Sequence, residues 1–227
     1  MRDMHCHILP GVDDGAEDLE ESLCMLEAAR QIGVTEIVCT PHCRDPYFDY
    51  DAMWDAYELL AAHADGIALH MGFEVNVEKF CELGFGWMDH LAFNDSDEFL
   101  LELRTHATPQ DFLEYQRVIY EIQAAGYRVV IAHPERYLAV QGNLDIAADL
   151  VRMGCELQVS ADFLNGGRFG REKAPAKSLL RRGLCAHIAS DAHCANDYHA
   201  YANAMRRYGS LLESVGSAAS IMGGVAL

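Results

Sequence analysis

The chain lacks the sequence features of membrane and exported proteins. No apolar run in its 227 residues reaches the roughly 20 residues that a transmembrane helix needs. The N-terminus has no long apolar region either, because Arg2 and Asp3 stand beside the first histidine and Asp13 and Asp14 follow soon after. We therefore expect no signal peptide and no membrane insertion, and we predict a cytoplasmic protein.

Paired cysteines and positive charge are also scarce. The eight cysteines are scattered singly without a C-x-x-C pair, which argues against a zinc knuckle and a thioredoxin-type motif. The chain has 17 lysines and arginines but 35 aspartates and glutamates, so its formal net charge is −18. Because polyanions are bound mainly through Lys and Arg, we expect no nucleic-acid binding. Two explanations of the acidic charge stay open, namely simple solubility and carboxylates that bind cations.

Strand-like and helix-like segments alternate along the whole chain without a linker or a composition break. Such alternation predicts parallel strands joined by crossover helices. We expect one domain over residues 1–227, in which about the last 13 residues are frayed. The predicted strands are 2–7, 36–40, 67–73, 98–103, 128–132, 155–160 and 184–190. The predicted helices are 17–32, 51–64, 109–125, 144–153, 173–182 and 198–215.

Two α/β architectures fit this order of elements. An open doubly wound sheet usually carries a glycine-rich phosphate loop after an early strand. Here the loop after the first predicted strand is I-L-P-G-V-D-D-G, which matches neither G-x-G-x-x-G nor a Walker A loop. Seven strands favour a barrel somewhat smaller than the eight-stranded kind, and the open sheet is the alternative.

Ionisable side chains collect where the predicted strands end. In a strand, side chains alternate between faces, so His5 and His7 point the same way. In a parallel barrel, functional residues lie at the carboxyl ends of strands. A single buried histidine is usually hydrogen-bonded core, but each member of a whole ring would need its own partner. The ring therefore predicts a metal site, formed by His5, His7, His42, Glu74, Glu102, His133, Asp191 and His193.

Three stretches of the chain carry a resemblance to a known family. They are D-M-H-C-H-I-L-P-G-V-D-D-G at 3–15, I-A-H-P-E-R-Y at 131–137 and I-A-S-D-A-H at 188–193. With these motifs the chain resembles the polymerase-and-histidinol-phosphatase (PHP) superfamily. Within it, the chain is most similar to the metal-dependent protein-tyrosine phosphatases of bacterial capsule and exopolysaccharide clusters. The resemblance runs from Met4 to about His193 and implies a distorted, TIM-like seven-stranded (β/α)7 barrel.

The resemblance also implies a centre of three divalent metal ions, commonly manganese. Mixed imidazole and carboxylate ligands suit manganese, iron or zinc and do not choose among them. Asp14 is the implied aspartate of the third ion, with Asp13 as the alternative. Glu74 would bridge the first and second ions. The implied ligands are His5, His7, Glu74 and Asp191 for the first ion, Glu74, Glu102 and His133 for the second, and Asp14, His42 and His193 for the third.

The activity implied by this resemblance is hydrolysis of a phosphate monoester. The expected substrate is an autophosphorylated bacterial tyrosine kinase of polysaccharide export. A metal-bridging hydroxide would attack the phosphorus, and the metals would neutralise the phosphoryl oxygens. We expect Arg136 to clamp the phosphate through two hydrogen bonds, and Arg44 is a second candidate.

Other functions remain open at this point. One is a small-molecule phosphatase such as a histidinol phosphatase, and another is a metal-bearing regulatory module that only binds. The chain departs from its relatives after Asp191-x-His193, because residues 194–199 contain no arginine where the relatives usually place one. Relatives are often oligomeric, and the predicted helix 17–32 is a candidate interface for a homo-oligomer.

A second phosphatase-like pattern is misleading. Cys24 and Arg30 match the C-x5-R spacing of cysteine-dependent tyrosine phosphatases. The intervening residues contain no glycine and follow a helical pattern, so their backbone N–H groups are committed to the helix and cannot cradle a phosphate. We predict that Cys24 packs in the core and that Arg30 faces solvent. The histidines for which we predict no role are His63, His70, His90, His106, His187 and His199.

Overall fold

The computed structural model describes residues 1–166 and 170–222. For Pro109 and for residues 213–222 the description covers the backbone alone. The last part of the predicted frayed end, 223–227, lies outside the described residues.

Short parallel strands form the centre of the fold. In the described residues they are β1 (Arg2–Cys6), β2 (Glu36–Cys39), β3 (His42–Cys43), β4 (Ala68–Met71), β5 (Glu74–Asn76), β6 (Glu98–Glu102), β7 (Arg128–Ala132), β8 (Glu156–Ser160) and β9 (His187–Ala189). One sheet has the order β1-β2-β4, and the other has the order β3-β5-β6-β7-β8-β9. The paired strands of both sheets run parallel, as the alternation of elements predicts, so the carboxyl ends of the strands lie at one edge.

Helices fill the connections between strands. They are α1 (Leu19–Gln31), α2 (Tyr50–Ala61), α3 (Val77–Leu83), α4 (Met88–Leu91), α5 (Pro109–Ala124), α6 (Leu138–Gly142), α7 (Asp145–Arg152), α8 (Ala161–Asn165), α9 (Lys173–Arg181) and α10 (Asp197–Met222), with 3-10 turns at Phe85–Trp87 and Pro134–Arg136. The six long predicted helices are present, whereas α3, α4, α6 and α8 are too short to give a clear apolar period. α10 continues past the predicted end at 215. Within the part of the chain that the structure describes, no helix combines the length and apolar character that a bilayer crossing requires.

Two of the predicted strands are each followed at once by a second short strand that the sequence did not indicate. Pro41 has no N–H to donate, and it separates β2 from β3. Gly72 separates β4 from β5 at a point where a Cβ atom would lie 2.3 Å from the ring of Phe93. The ladder continues across the break through hydrogen bonds from Gly72 N to Cys39 O and from Glu74 N to Pro41 O. His42 and Glu74 therefore begin new short strands, in register with each other, instead of ending long ones.

The two sheets curl towards each other at β1 and β9. Asp191 N donates to His5 O, and His7 N donates to Ala192 O, both over 2.9 Å. Asp3, fully buried, accepts hydrogen bonds from Ser190 N at 2.9 Å and from Ser190 Oγ at 2.5 Å. These contacts bring the carboxyl ends of the first and last strands side by side.

Apolar side chains pack on both sides of the curled sheet. A small inner cluster includes Met4, Phe93 and Val130, and a larger outer cluster lies between the strands and the helices. The Cys6 side chain belongs to the outer cluster, where its sulfur lies 3.1 Å from the Tyr198 hydroxyl of α10. Buried side chains close the interior beneath the carboxyl edge, so the edge itself is where polar residues can gather.

The predicted packing of α1 is wrong at one residue. Met25, Leu26 and Ala29 form its buried face, whereas Cys24 is exposed. Cys24 precedes Met25 by one residue, which turns its side chain about 100° away along the helix. Arg30 is exposed as predicted and pairs with Glu27.

Replacing Asp3 tests how the curl is held. We expect Asp3→Ala to destabilise the protein by about 2–4 kcal/mol, because it leaves the Ser190 N–H buried without an acceptor and removes a charged partner. Asp3→Asn keeps one acceptor oxygen and should cost less. Urea unfolding in the presence of a chelator measures both variants without a contribution from metal binding. Equal stability of Asp3→Ala and the wild type would show that this contact does not hold the sheets together.

Candidate metal centre

The residues predicted as metal ligands lie together at the carboxyl edge of the sheets. β1 and its end supply two histidines, the loop after β1 an aspartate, β3, β5 and β6 one residue each, and the ends of β7 and β9 the rest. Their ligand atoms form overlapping groups in which all atoms lie within 4.8 Å of one another. Four of these groups are His5–His7–Glu74, His5–His133–Asp191, His42–Glu74–Glu102 and His7–Asp14–His42–His193.

Glu74 lies at the centre of this cluster. Its carboxylate is 2.6 Å from His42 Nδ1 and 2.6 Å from His133 Nε2. It is also 3.6 Å from His5 Nε2 and 3.5 Å from His7 Nε2. Glu74 is 1% exposed, so a buried carboxylate is surrounded by four imidazoles. Such a group can bridge two cations.

The outer nitrogens of the first two histidines are held by acceptors. His5 Nδ1 donates to Gln158 Oε1 over 2.9 Å, and His7 Nδ1 donates to Asp13 Oδ2 over 2.8 Å. An Nδ1–H donor leaves Nε2 as the nitrogen that can bind a metal. The two Nε2 atoms lie 3.3 Å apart and face the same space beside Glu74. This arrangement fits a shared cation.

The structure separates the roles of the two neighbouring aspartates. Asp14 Oδ1 lies 3.0 Å from His42 Nε2 and 3.6 Å from His193 Nε2. Asp13 instead accepts hydrogen bonds from His7 and from the backbone N–H groups of Gly15 and His42. Asp14 therefore belongs to the inner cluster, and Asp13 orients His7 from behind.

Unusual backbone positions shape the edge. His133 has φ +32° and Asp191 has φ +52°, in the left-handed region that residues other than glycine rarely adopt. At Gly15, a Cβ atom would lie 2.0 Å from the backbone oxygen of His7. No other residue type lets the loop pass so close to this histidine. Such conformations concentrate at functional sites.

Buried atoms without hydrogen-bond partners also fit a metal centre. His42 Nδ1 and Glu74 Oε2 have no hydrogen-bond partner, although they lie 2.6 Å apart. Their contact is therefore close but poorly aligned for a hydrogen bond. Two buried atoms that lie this close without a hydrogen bond fit a site where cations lie beside both of them, because buried polar groups otherwise find a partner.

Opposite charges shift the pKa values of the cluster. Burial lowers the pKa of His5, but Asp191 and Glu74 outweigh it and raise the value to about 9. Burial likewise lowers the pKa of His42, whereas Glu74 and Asp14 raise it to about 10. Although burial raises the pKa of the Glu74 carboxyl, the neighbouring histidines hold it well below its usual value. Without metal, protons on the histidines therefore balance the carboxylates.

A cavity of about 410 Å³ opens above the cluster. Arg44 Nη2 lies 2.8 Å from His42 Nε2, and Arg136 Nη1 lies 3.4 Å from His133 Nε2, so both predicted arginines reach the cavity wall. The neighbouring carboxylates outweigh the effect of burial and raise the pKa of Arg136, which keeps its guanidinium charged. The cavity is lined by the candidate ligands Asp14, His42, Asp191 and His193, by both arginines, and by Ser160, Asp162, Phe163 and Asp197.

Sequence reasoning missed several of these polar residues. Ser160 and Gln158 come from β8, the one predicted strand without a candidate ligand, and both are buried. Polar side chains within an apolar strand were the available signal. Glu135, next to Arg136, is a third such residue. It is fully buried, and burial raises the pKa of its carboxyl to about 8.

A second group with metal-like spacing lies at the opposite, amino edge. Glu36, His70 and Asp95 come together there. Arg2 lies among them, with Nε 2.9 Å from Glu36 and Nη2 3.6 Å from Asp95. Because a guanidinium already balances these carboxylates, the group is a salt-bridge network.

Comparison with known proteins identifies the family. Residues 1–211 match the family model for capsular polysaccharide synthesis, CpsB/CapC. The chain belongs to the CpsB/CapC family. This membership agrees with the resemblance drawn from the sequence motifs.

Named relatives of this CpsB/CapC chain are tyrosine-protein phosphatases. The chain is 33% identical to tyrosine-protein phosphatase YwqE of Bacillus subtilis over 200 residues, which cover 85% of this chain and 77% of YwqE. It is 29% identical over 204 residues to tyrosine-protein phosphatase CpsB of Streptococcus pneumoniae, covering 85% of this chain and 83% of CpsB.

The fold agrees with a solved structure of the same family. The match is to a crystal structure from a study of B. subtilis YwqE and S. pneumoniae CpsB, which describes them as unique metal-dependent tyrosine phosphatases. The TM-score is 0.77 at 28% identity, over 96% of this chain and 92% of that one. The CpsB/CapC chain therefore shares the α/β fold with a curled parallel sheet.

The pKa values predict how the metal-free protein responds to pH. The pKa values of His5, His42 and His193 lie at about 9, 10 and 9, above the ordinary histidine value of about 6.5. The folded state thus binds these protons more tightly, so their stabilisation is complete below about pH 6.5 and is lost as the pH rises through 9 to 10. We expect the melting temperature of chelator-treated protein to fall as the pH rises from about 6.5 to 10.

Metal-loaded protein provides the control, because cations replace the protons as counter-charges and its melting temperature should fall less. Calorimetry at matched ionic strength measures both forms. A metal-free melting temperature that stays constant or rises from pH 6.5 to 10 would contradict this account of the cluster.

Proposed function

We propose that the chain is a metal-dependent protein-tyrosine phosphatase that removes phosphate from a tyrosine kinase of capsular or exopolysaccharide synthesis. The observation that carries this proposal is the nine-residue imidazole and carboxylate cluster, which lies beneath a cavity bordered by two arginines. The tyrosine-protein phosphatase activity named for YwqE and CpsB supports the same substrate class.

The donor set fits three divalent ions, and manganese is the proposed metal. Imidazole nitrogens and carboxylate oxygens also suit iron or zinc. When bound, such ions lower the pKa of coordinated water and neutralise phosphoryl oxygens. Glu74 would join two of the ions. The proposed ligands are His5, His7, Glu74 and Asp191 for the first ion, Glu74, Glu102 and His133 for the second, and Asp14, His42 and His193 for the third.

The two arginines bind and orient the phosphate in this proposal. Arg136 and Arg44 approach the cavity from the turn after β7 and from the end of β3, next to His133 and His42. A guanidinium presents paired N–H donors that match two phosphate oxygens. Arg44 stacks on Tyr47, with Cζ 5.5 Å from the ring centre, which limits where its head group can go. Together they offset the negative charge that would otherwise repel an anionic substrate.

The leaving group of this substrate needs little proton donation from the chain. Tyrosine leaves as a phenolate with a pKa of about 10, so it needs less protonation than an alkyl alcohol does. Asp191 and Asp14 are held ionised, because the histidines keep the pKa of each carboxyl well below its usual value. These side chains serve as ligands and not as proton donors.

We also propose that the two sheets together form one distorted barrel with seven strand positions. In this description β2 and β3 count as one broken strand, as do β4 and β5, and the hydrogen bonds between β1 and residues 191–192 close the ring. One catalytic domain over residues 1–227, a cytoplasmic location and a homo-oligomer formed through α1 stay predictions.

One observation favours a second candidate, a small-molecule phosphatase. The arginine that relatives usually carry after the last histidine motif is missing, and Asp197 and Asp162 line the cavity instead. Carboxylates on this side suit a substrate with a cationic group near its phosphate, as in histidinol phosphate.

A substrate comparison at matched manganese tests the two candidates. We expect a higher kcat/KM for a phosphotyrosyl peptide than for histidinol phosphate, and complete loss of both activities with a chelator. His5→Ala should lose activity by at least about a hundredfold, because it removes a proposed ligand. Preference for histidinol phosphate would replace the first proposal with the second. Chelator-resistant turnover, or full activity of His5→Ala, would refute the metal mechanism, and no turnover of either substrate would favour the binding module.

Substitution of Arg136 tests the phosphate clamp. Arg136→Lys keeps the charge but loses the paired donors, so we expect kcat/KM to fall about ten- to a hundredfold, mainly through KM. Steady-state kinetics with an aryl phosphate measure the change. Arg30→Lys on the exposed face of α1 is the matched control and should keep wild-type kinetics. Unchanged KM in Arg136→Lys would remove this residue from the substrate site.

A further inference from the structure

The turn after β7 places two functional groups close together in sequence. His133 is a proposed metal ligand, and Arg136 is the proposed phosphate clamp. The residues between them form a 3-10 turn that follows the left-handed backbone of His133. Arg136 N donates to His133 O over 2.9 Å. The position of the guanidinium therefore depends on what holds this turn.

One side of the turn is fixed to the strands through Tyr137. Its buried hydroxyl donates to Ala132 O over 2.6 Å and accepts from Leu103 N over 2.9 Å. These bonds join the turn to the ends of β6 and β7. Both bonds lie on the side of the turn next to the proposed metal ligands Glu102 and His133. They do not hold the side of the turn that faces β8.

Glu135 makes the contact to β8. Its side chain is 0% exposed, and Oε1 accepts a hydrogen bond from Ser160 N over 2.7 Å. A buried carboxyl group is costly unless it has a specific partner. The mechanism proposed above uses neither Glu135 nor the backbone of Ser160, so this buried pair has a separate role.

The same two segments meet a second time through Arg136. Its Cζ atom stands 5.8 Å from the ring centre of Phe163, and Phe163 lies on α8, three residues after Ser160. Glu135 thus contacts Ser160 at the start of this segment, and Arg136 contacts Phe163 one helical turn later. This double link fixes the distance between the turn and α8, and with it the place of the guanidinium in the cavity.

We propose that Glu135 is a positioning residue for the phosphate clamp, holding the turn against the end of β8 so that Arg136 projects into the cavity between Phe163 and the metal centre. Arginine has many rotamers, and the entropy of ordering it at the moment of binding weakens an interaction that is not pre-organised. Glu135 supplies that organisation before the substrate arrives. The proposal rests on the proposed function, because it assigns Arg136 to phosphate.

A double-mutant cycle on inorganic phosphate binding tests this role. Glu135→Met removes the acceptor and keeps a similar side-chain volume. In the manganese-loaded full chain, calorimetry should show phosphate binding about tenfold weaker in Glu135→Met than in the wild type. In an Arg136→Ala background, the same substitution should change binding less than twofold, because the group that it positions is gone. Glu135→Gln keeps an acceptor oxygen and should recover most of the affinity.

Two measurements separate positioning from general damage. Glu98→Met alters another buried glutamate at the amino edge, where Glu98 pairs with Arg2, and it should lower stability without changing phosphate affinity. The manganese content of Glu135→Met should match that of the wild type. If Glu135→Met does not fold, Phe163→Leu, combined with Arg136→Ala in the same cycle, tests the other half of the link.

Any one of four results would overturn the proposal. Glu135→Met could weaken phosphate binding equally in the wild-type and Arg136→Ala backgrounds, or leave phosphate affinity unchanged. Glu135→Met could also lose manganese, or the wild type could fail to bind phosphate. Because the readout is phosphate binding and not turnover, a chain that binds phosphate but fails to hydrolyse phosphotyrosine would refute the proposed function alone.

Discussion

A buried carboxylate surrounded by imidazoles is the constraint on which the rest of this structure depends. Glu74 lies within 3.6 Å of four histidines, which come from β1, β3 and the end of β7. Burying one unpaired charge costs several kcal/mol, so these elements must meet in one geometry. The parallel order of strands achieves this by placing all carboxyl ends at the same edge. Asp13 and Gln158 then hold the outer nitrogens of His7 and His5, and the inner nitrogens converge on the shared space.

Contacts in the surrounding structure stabilise backbone conformations that would be unfavourable in an isolated segment. The left-handed backbone at His133 and Asp191 costs on the order of 1–3 kcal/mol at each residue. Buried anchors offset this cost on both sides of the centre: Tyr137 binds the ends of β6 and β7, and Asp3 binds Ser190 after β9. Residues that stabilise the fold therefore lie directly beside the candidate site residues at this edge. Substitutions of the anchors should be judged by unfolding as well as by activity.

Electrostatics explain how so acidic a chain can take an anionic substrate. The cluster combines carboxylates that stay ionised with histidines that hold protons when no cation is present, so in the proposed function metal ions would replace protons as counter-charges. Above the cluster, Arg44 and Arg136 bring positive charge to the cavity, where the proposed function places the phosphate. Membership of the CpsB/CapC family and the named phosphatase activity of its relatives agree with a proposed site in which metals activate water and arginines bind the phosphate.

Sequence patterns alone were enough to predict the α/β order of elements, the family, and the residues that gather at the carboxyl edge, because strand ends and motif spacing are local properties. They missed what depends on three-dimensional neighbours. The short strands β3 and β5 start after Pro41, which has no N–H to donate, and after Gly72, which packs directly against Phe93. Cys24 is exposed because neighbours set the buried face of α1. Only the tertiary structure placed Asp14 among the histidines and Asp13 behind His7, since adjacent residues of one type have the same local signal. It also gave Glu135 a partner on β8, 25 residues further along the chain, because contacts at that separation are decided by packing and not by sequence spacing.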